Sequence, residues 1–295
     1  MIGWPRLCRR ACWPYTPGTT ADTEAAGKGE AMQRTKVKSA SRTLEVLELF
    51  MDERRPLRLN EIYKALNYPQ SSATNLLKSM VLMGYLNYNR ANMTYLPTMR
   101  VTALGSWLPS MINREGGLVS LVDEIQRRTD ETVGLVAQND LYIQYIILKT
   151  PGHEFKMAPN EGTMRLMVDS SSGLALMSRM RQREIDKIYR YSCHYGLGGE
   201  TLPQFEDLMR EVRWTRQVGH AYVPKRPTPQ LSSIAMPLDE NLYGIPLAIG
   251  VGGMVDRISR AKQDILDVMS EAISAFKARQ EQEDAREHEA LLNAA

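Results

Sequence analysis

From Leu59 to Gly84 the chain reads LNEIYKALNYPQSSATNLLKSMVLMG, two helical rhythms interrupted by Asn-Tyr-Pro. This stretch limits the possible folds more than any other. Pro69 cannot continue the first helix, and its fixed φ suits the start of a second. In the second, Ala73, Leu76, Leu77, Met80 and Met83 share one face of a helical wheel. Ser71, Thr74, Asn75 and Lys78 fall on the other. Gly84 tolerates left-handed φ and stops the helix. In the first, Ile62, Ala65 and Leu66 form a short apolar stripe, with Asn60 as the expected N-cap.

The flanks extend the pattern. Upstream, SASRTLEVLELFM places Leu44, Leu47 and Phe50, with Val46 and Met51, on a helical period. Ser39 or Ser41 is the expected cap, and Pro56 closes the segment. Downstream, Tyr85, Leu86 and Tyr88 predict one strand and Thr94, Tyr95 and Leu96 another, with a turn over Asn89–Asn92. Helix, helix, short turn, helix and hairpin make a winged helix-turn-helix over 34–98, its third helix in the place of a DNA reader.

The polar face then has chemistry to do. Asn75 can pair bidentately with adenine, and Gln70, Ser71, Ser72 and Thr74 can bond base edges or phosphates. Arg42, Arg58, Lys78 and the wing residue Arg90 can neutralise phosphates. Charge points the same way. Residues 1–104 hold 15 Lys and Arg against 8 Asp and Glu, while the rest holds 22 against 26. Only the first part is suited to a polyanion.

Residues 1–33 lack periodicity and read as a flexible extension, with Met32 as a candidate natural start. Residues 99–115 read as a linker helix, helical through 112 and carrying Met99, Val101, Leu104, Trp107 and Leu108. Residues 116–278 mix helices and strands, and 279–295 form a charged helical tail. GGLVSLVDEIQRRT is an amphipathic helix. ETVGLVAQ and LYIQYIIL are strands joined at Asn139-Asp140. EFKMAP and RLMV are short strands, and SSSGLALMSRM is a helix capped by Ser170 or Ser171. QREIDKIYR and LPQFEDLMREVRWTRQVG are helices, SSIAMPL and GIPLAIGVG strands, and Ser259–Phe276 the last helix. The expected class is α+β, with an antiparallel rather than doubly wound sheet.

Catalysis has no positive signal. His153, His194, His220 and His288 are widely spaced, and neither GLGGE nor GVGGM fits a phosphate loop. The segment SSSG is not a nucleophile elbow. No enzyme, cofactor or metal is expected. Cys8 and Cys12 form a weak C-x₃-C pair and Cys193 stands alone; unpaired thiols fit a reducing cytoplasm. No run of about 18 apolar residues predicts a membrane span.

VKSASRTLEVLELF, LRLNEIYKALNYPQSSATNLLKSMVLMGYL and YLPTMRVTALGSWL resemble the DNA-binding module and linker of the IclR family of bacterial transcription regulators. DETVGLVAQNDLYIQYI, GTMRLMVDSSSGLALMS, QVGHAYVPKRP, LSSIAMPL and LAIGVGGMVDRIS are similar to its second domain, in family order. The resemblance implies a homodimer or homotetramer on palindromic double-stranded promoter DNA. It also implies an α/β effector domain with an antiparallel sheet. Its effector pocket corresponds here to Gly162, Leu166, Met167, Ser233, Gly250 and Gly252. Leu166 and Met167 read equally as ordinary core.

The departures are specific. VPKRP puts Lys225 and Arg226 where the family often has acids. Arg165 stands where Pro is common, Ser233 where Cys is frequent, and Gly250 and Gly252 where Ser is frequent. Asn75 replaces a frequent basic residue. The expected effector is a small organic acid, perhaps aromatic, held by Arg165, Lys225 or Arg226; solvated rim residues are the alternative for these cations. Two other functions fit the chain less fully: a constitutive regulator whose second domain only oligomerises, and an enzyme with a DNA-binding head.

Overall fold

A computed structural model describes residues 37–108, 117–152, 159–198, 202–242 and 244–293. The chain divides into two compact units, one within 34–114 and one from 115 onward. Residues 1–33 with Met32, the EFKMAP strand apart from Pro159, and positions 109–112 of the expected linker helix lie outside the described residues.

The first unit is built from α1 (Lys38–Glu53), β1 (Leu57–Arg58), α2 (Leu59–Leu66), α3 (Gln70–Leu82), β2 (Leu86–Asn89), β3 (Thr94–Pro97) and α4 (Met99–Gly105). Its core holds Val46, Leu49, Phe50, Leu57, Ile62, Leu77, Met80, Leu86 and Tyr95. Burying each large aliphatic side chain contributes about 1.5–3 kcal/mol, which a module this small needs.

The stripe on α1 is rotated from the expected one. Leu44 and Met51 are exposed, and Leu49 takes the buried place beside Val46 and Phe50. Ala65 and Met83 are likewise exposed. Caps also differ. α1 begins after Val37 with no side-chain cap, and α2 begins after Arg58, ahead of Asn60. Glu61 does the capping instead, accepting the Arg58 N–H at 2.8 Å. β1 pairs with β3 to make a three-stranded sheet of order β1-β3-β2, where the sequence predicts a bare hairpin. Two extended residues carry too short an alternation to be read as a strand.

The end of α3 is tied to the start of α4. Gly84 takes φ +80° and donates its N–H to Val81 O, while the Tyr85 N–H reaches Met80 O at 2.9 Å. Thr98 caps α4, its hydroxyl donates to Gly84 O at 2.6 Å, and its N–H reaches Tyr85 O at 3.0 Å. Arg100 lies over the Tyr85 ring at 5.1 Å.

The second unit contains α5 (Leu118–Thr129), β4 (Thr132–Asn139), β5 (Tyr142–Lys149), β6 (Met164–Leu166), a 3₁₀ turn (Met167–Asp169), α6 (Ser171–Met177), α7 (Gln182–His194), α8 (Phe205–Val218), β7 (Ala221–Pro224), β8 (Leu231–Leu242), β9 (Ile245–Met254), α9 (Val255–Arg260) and α10 (Lys262–Asn293). Six antiparallel strands run in the order β6-β5-β4-β9-β8-β7. Side chains alternate between two buried faces. Val136, Ala235, Ala248 and Val223 join the core that includes α6, α7 and α8. α5 packs on α10 and on β4 and β5.

Here too some boundaries move. The expected RLMV strand is β6 followed by the 3₁₀ turn. The expected last helix breaks at Ala261 into α9 and α10, and α10 runs past Phe276 to Asn293. β7 has no counterpart in the sequence-based expectation; Ala221 and Val223 alternate over only four residues. Among the described residues no helix is long and apolar enough to cross a membrane.

Candidate DNA-reading surface and effector cavity

α3 places its polar residues on one arc because Ala73, Leu77 and Met80 occupy the other. Gln70, Ser71, Asn75 and Lys78 are exposed; Ser72 and Thr74 are half-buried. Thr74 Oγ1 donates to Gln70 O at 2.8 Å, which leaves its lone pairs to accept. Among the described residues, the side chains of Gln70, Ser71, Asn75 and Lys78 form no hydrogen bond or ion pair within the unit. At 13 residues the helix is about 20 Å long, and the B-DNA major groove admits an α-helix.

The turn before α3 is rigidly held. Asn67 adopts φ +55°, and the Tyr68 N–H reaches Tyr63 O at 2.9 Å. The Tyr68 hydroxyl donates to the Glu45 carboxylate. Burial first, and that bond second, push its pKa up. Arg42 stacks over the Tyr68 ring at 4.7 Å, so its guanidinium is positioned by the turn rather than free. Arg58 is exposed at the head of α2. Arg90 is exposed in the β2–β3 turn, where Asn89 Oδ1 accepts the N–H groups of Ala91 and Asn92 at 2.9 and 3.3 Å. Sequence reasoning missed Tyr68; its position between an αL residue and Pro69 is the signal that could have found it.

The second unit carries a cavity on one face of the sheet. Thr132 pairs with Gly252, and Gly252 with Ser233, so all three address the same side. Gly134, Gly250 and Ala235 form the next such row. α6 packs close to this face. Ser171 Oγ donates to Ser233 Oγ at 2.8 Å, and a Cβ at Gly250 would lie 3.0 Å from Ser172 Oγ. Ser170 caps α6 by accepting the Gly173 N–H at 3.0 Å. Gly134 has no side chain, so the Tyr145 ring fits over it; a Cβ there would stand 2.8 Å from the ring. The cavity holds about 700 Å³ including its open mouth, within the range of small-ligand pockets.

Its electrostatics are mixed. The Tyr145 hydroxyl meets the Arg165 guanidinium; burial pushes its pKa up and the cation opposes that. Burial likewise raises the Asp169 pKa, against the pull of Arg226. Arg226 lies between two carboxylates, with Nη2 at 2.9 Å from Glu211 Oε1 and Nη1 at 3.6 Å from Asp169 Oδ1.

Of the effector residues expected from sequence, Arg165, Arg226, Ser233, Gly250 and Gly252 line this cavity. Met167 is fully buried in the core, and Leu166 packs against the same core. Gly162 sits outside the wall in a turn at φ +83°, with its N–H on Tyr145 O at 2.8 Å. Lys225 is exposed and takes φ +59° outside the wall. Thr132, Tyr145 and Asp169 were missed. Gly134 in an apolar strand is the signal for Tyr145, because glycine there marks a close approach. Among the described residues no group of His, Cys, Asp and Glu could hold a metal ion.

Comparison with known proteins fits both halves. The model of the IclR helix-turn-helix domain matches residues 39–90, and that of the bacterial transcriptional regulator IclR C-terminal domain matches 118–278. The chain is 23% identical over 230 residues to the HTH-type transcriptional regulator XynR of Escherichia coli K12, covering 77% of this chain and 90% of that protein. Among solved structures, Thermotoga maritima IclR superposes with TM-score 0.64 at 17% identity, covering 82% of this chain and 98% of that one. An IclR homolog from Microbacterium hydrocarbonoxydans, solved with 4-hydroxybenzoate, does so at 0.61 and 17%, covering 83% and 99%. A winged helix-turn-helix with an open polar arc, an antiparallel α/β domain behind it and both family models in register lead to one conclusion: the chain belongs to the IclR family of DNA-binding transcription regulators, which are not enzymes.

Proposed function

We propose that this regulator reads promoter DNA with α3 and is controlled by a small organic acid bound in the cavity on the β4-β9-β8 face. The observation that carries the first half is the exposed arc of Gln70, Ser71, Asn75 and Lys78, whose side chains have no partner among the described residues. In this reading Ser72 and Thr74 support that arc as acceptors, and Arg42, Arg58 and Arg90 face phosphates. A homodimer or homotetramer sets two such helices at the spacing of two half-sites.

The second half rests on Arg165. Arg226 is already flanked by Asp169 and Glu211, and Lys225 lies outside the cavity wall, so Arg165 is the cation left for a ligand carboxylate. The aromatic version of the acid draws support from the 4-hydroxybenzoate in the homolog of similar fold. Ligand favouring one arrangement of the oligomer shifts its population and so its fit to DNA.

Sequencing the genomic fragments bound by the purified protein tests the DNA half; enrichment of an inverted repeat is expected, and uniform coverage overturns it. A gel shift on the enriched fragment, with and without added acids, separates the gated regulator from a constitutive one. An acid that changes DNA affinity of the wild type and not of Arg165→Met supports gating through this cavity.

A further inference from the structure

We propose that the acid filling this cavity is a hydroxylated monocarboxylate, with at least one hydroxyl group set away from its carboxylate. The inference rests on the reading of the cavity as the effector site and names the ligand class.

Three buried polar atoms of the wall have no hydrogen-bond partner: Arg165 Nε, Asp169 Oδ1 and Thr132 Oγ1. Thr132 is only 6% exposed, and the Gly252 opposite it contributes no side chain. A buried polar group left unpaired is costly, so such groups are retained where something completes them. The three atoms differ in what they need. Arg165 Nε requires an acceptor, Asp169 Oδ1 requires a donor, and Thr132 takes either.

An unsubstituted carboxylate brings acceptors alone. It satisfies Arg165 but offers Asp169 nothing except repulsion. A dicarboxylate is worse, because the wall already balances Arg165 and Arg226 against Asp169, with Glu211 on the far side of Arg226. An ammonium group would donate to Asp169 but would stand beside the Arg226 guanidinium, 3.6 Å from the same oxygen. A hydroxyl donates to Asp169 or Thr132 without adding charge. The hydroxyls of Ser171, Ser172 and Ser233 on the same face can bond further hydroxyls of a longer chain.

Aliphatic and aromatic acids can both carry this pairing, and matched ligands distinguish them. Titration calorimetry on the full-length protein would compare gluconate with hexanoate, 4-hydroxybenzoate with benzoate, and 6-aminohexanoate with hexanoate. In at least one of the first two pairs, the hydroxylated acid should bind about tenfold tighter or more, since a site with polar groups to fill rejects the analogue lacking them. Thr132→Val should cut that ratio by about threefold while its melting temperature without ligand stays at or above that of the wild type.

Equal binding within both hydroxyl pairs overturns the proposal, as does a preference for 6-aminohexanoate or an undiminished ratio in Thr132→Val. If no acid binds although the protein is folded and shifts its DNA, the effector reading itself fails and the inference falls with it. Tight gluconate binding supports an aliphatic source; tight 4-hydroxybenzoate binding supports an aromatic one.

Discussion

α3 and α6 both open on serines, QSSATNLLKSM in one and SSSGLALMSRM in the other, yet they serve opposite ends of the molecule's chemistry. Along α3, Ser71, Asn75 and Lys78 stand in solvent. Every residue of α6 is buried, including Ser171 and Ser172. A polar side chain in water keeps its full hydrogen-bonding capacity at almost no cost to folding. A buried one must be paired inside or completed by a ligand. Ser170 takes the first route as a cap, Ser171 and Ser233 satisfy one another, and Thr132 across the same face waits on the second.

The contrast can be broken most forcefully at Gly173. A Cβ there would lie 2.0 Å from the Met167 carbonyl oxygen. Gly173→Ala should destabilise the second unit by about 3 kcal/mol or more, the upper end of overpacking, and calorimetric melting would register it. An alanine at an exposed α3 position such as Ser71 should leave melting within about 0.5 kcal/mol of wild type.

Smaller effects separate the roles along α3. Asn75→Ala should cost about 1–3 kcal/mol on the preferred operator and relax base choice, the signature of direct readout. Lys78→Ala should weaken binding to all sequences alike and lower the salt slope by about one unit. Gel shifts on specific and scrambled duplexes across a salt series read both; an identical loss on the two duplexes for Asn75→Ala would remove it as a base reader.

The smallest effect concerns Asp239. A hydrogen bond from Lys277 holds its pKa below the usual value, and Arg179 adds to this at 2.8 Å. A carboxylate with a depressed folded pKa contributes stability that is present above its unfolded pKa and lost as pH falls through the folded one. Asp239 is half exposed, so Asp239→Asn should lower stability by no more than about 0.5 kcal/mol at neutral pH. The gap between mutant and wild type should close on acidification below pH ~4, as urea titrations at two pH values would show.

Much of the first unit was legible because its signals are local. Pro69, Gly84 and the spacing of Ala73, Leu77 and Met80 fix α3 within a few residues. What escaped there depends on partners distant in sequence. Leu44 and Leu49 are both consistent with a helical period, and only contact with α2 and α3 decides which is buried. In the second unit strand existence was legible and the cavity was not. Thr132 and Ser233 lie about a hundred positions apart, joined across β9 by pairing that no local pattern encodes. Asp169 gave no sign in sequence of being buried beside Arg226.

The Gly84–Thr98 tie determines how a signal can travel through the first unit. Two hydrogen bonds and a stacked guanidinium join the last turn of α3 to the first turn of α4 within about 15 residues of chain. Torque applied to α4 is geared straight into α3, with little lost motion between them. The two helices swing like the arms of a bell crank pivoting at the wing's base. Control then acts on where the reading helices stand rather than on the shape of each reading surface, so one operator sequence can be gripped or released without any change in the letters it is read by.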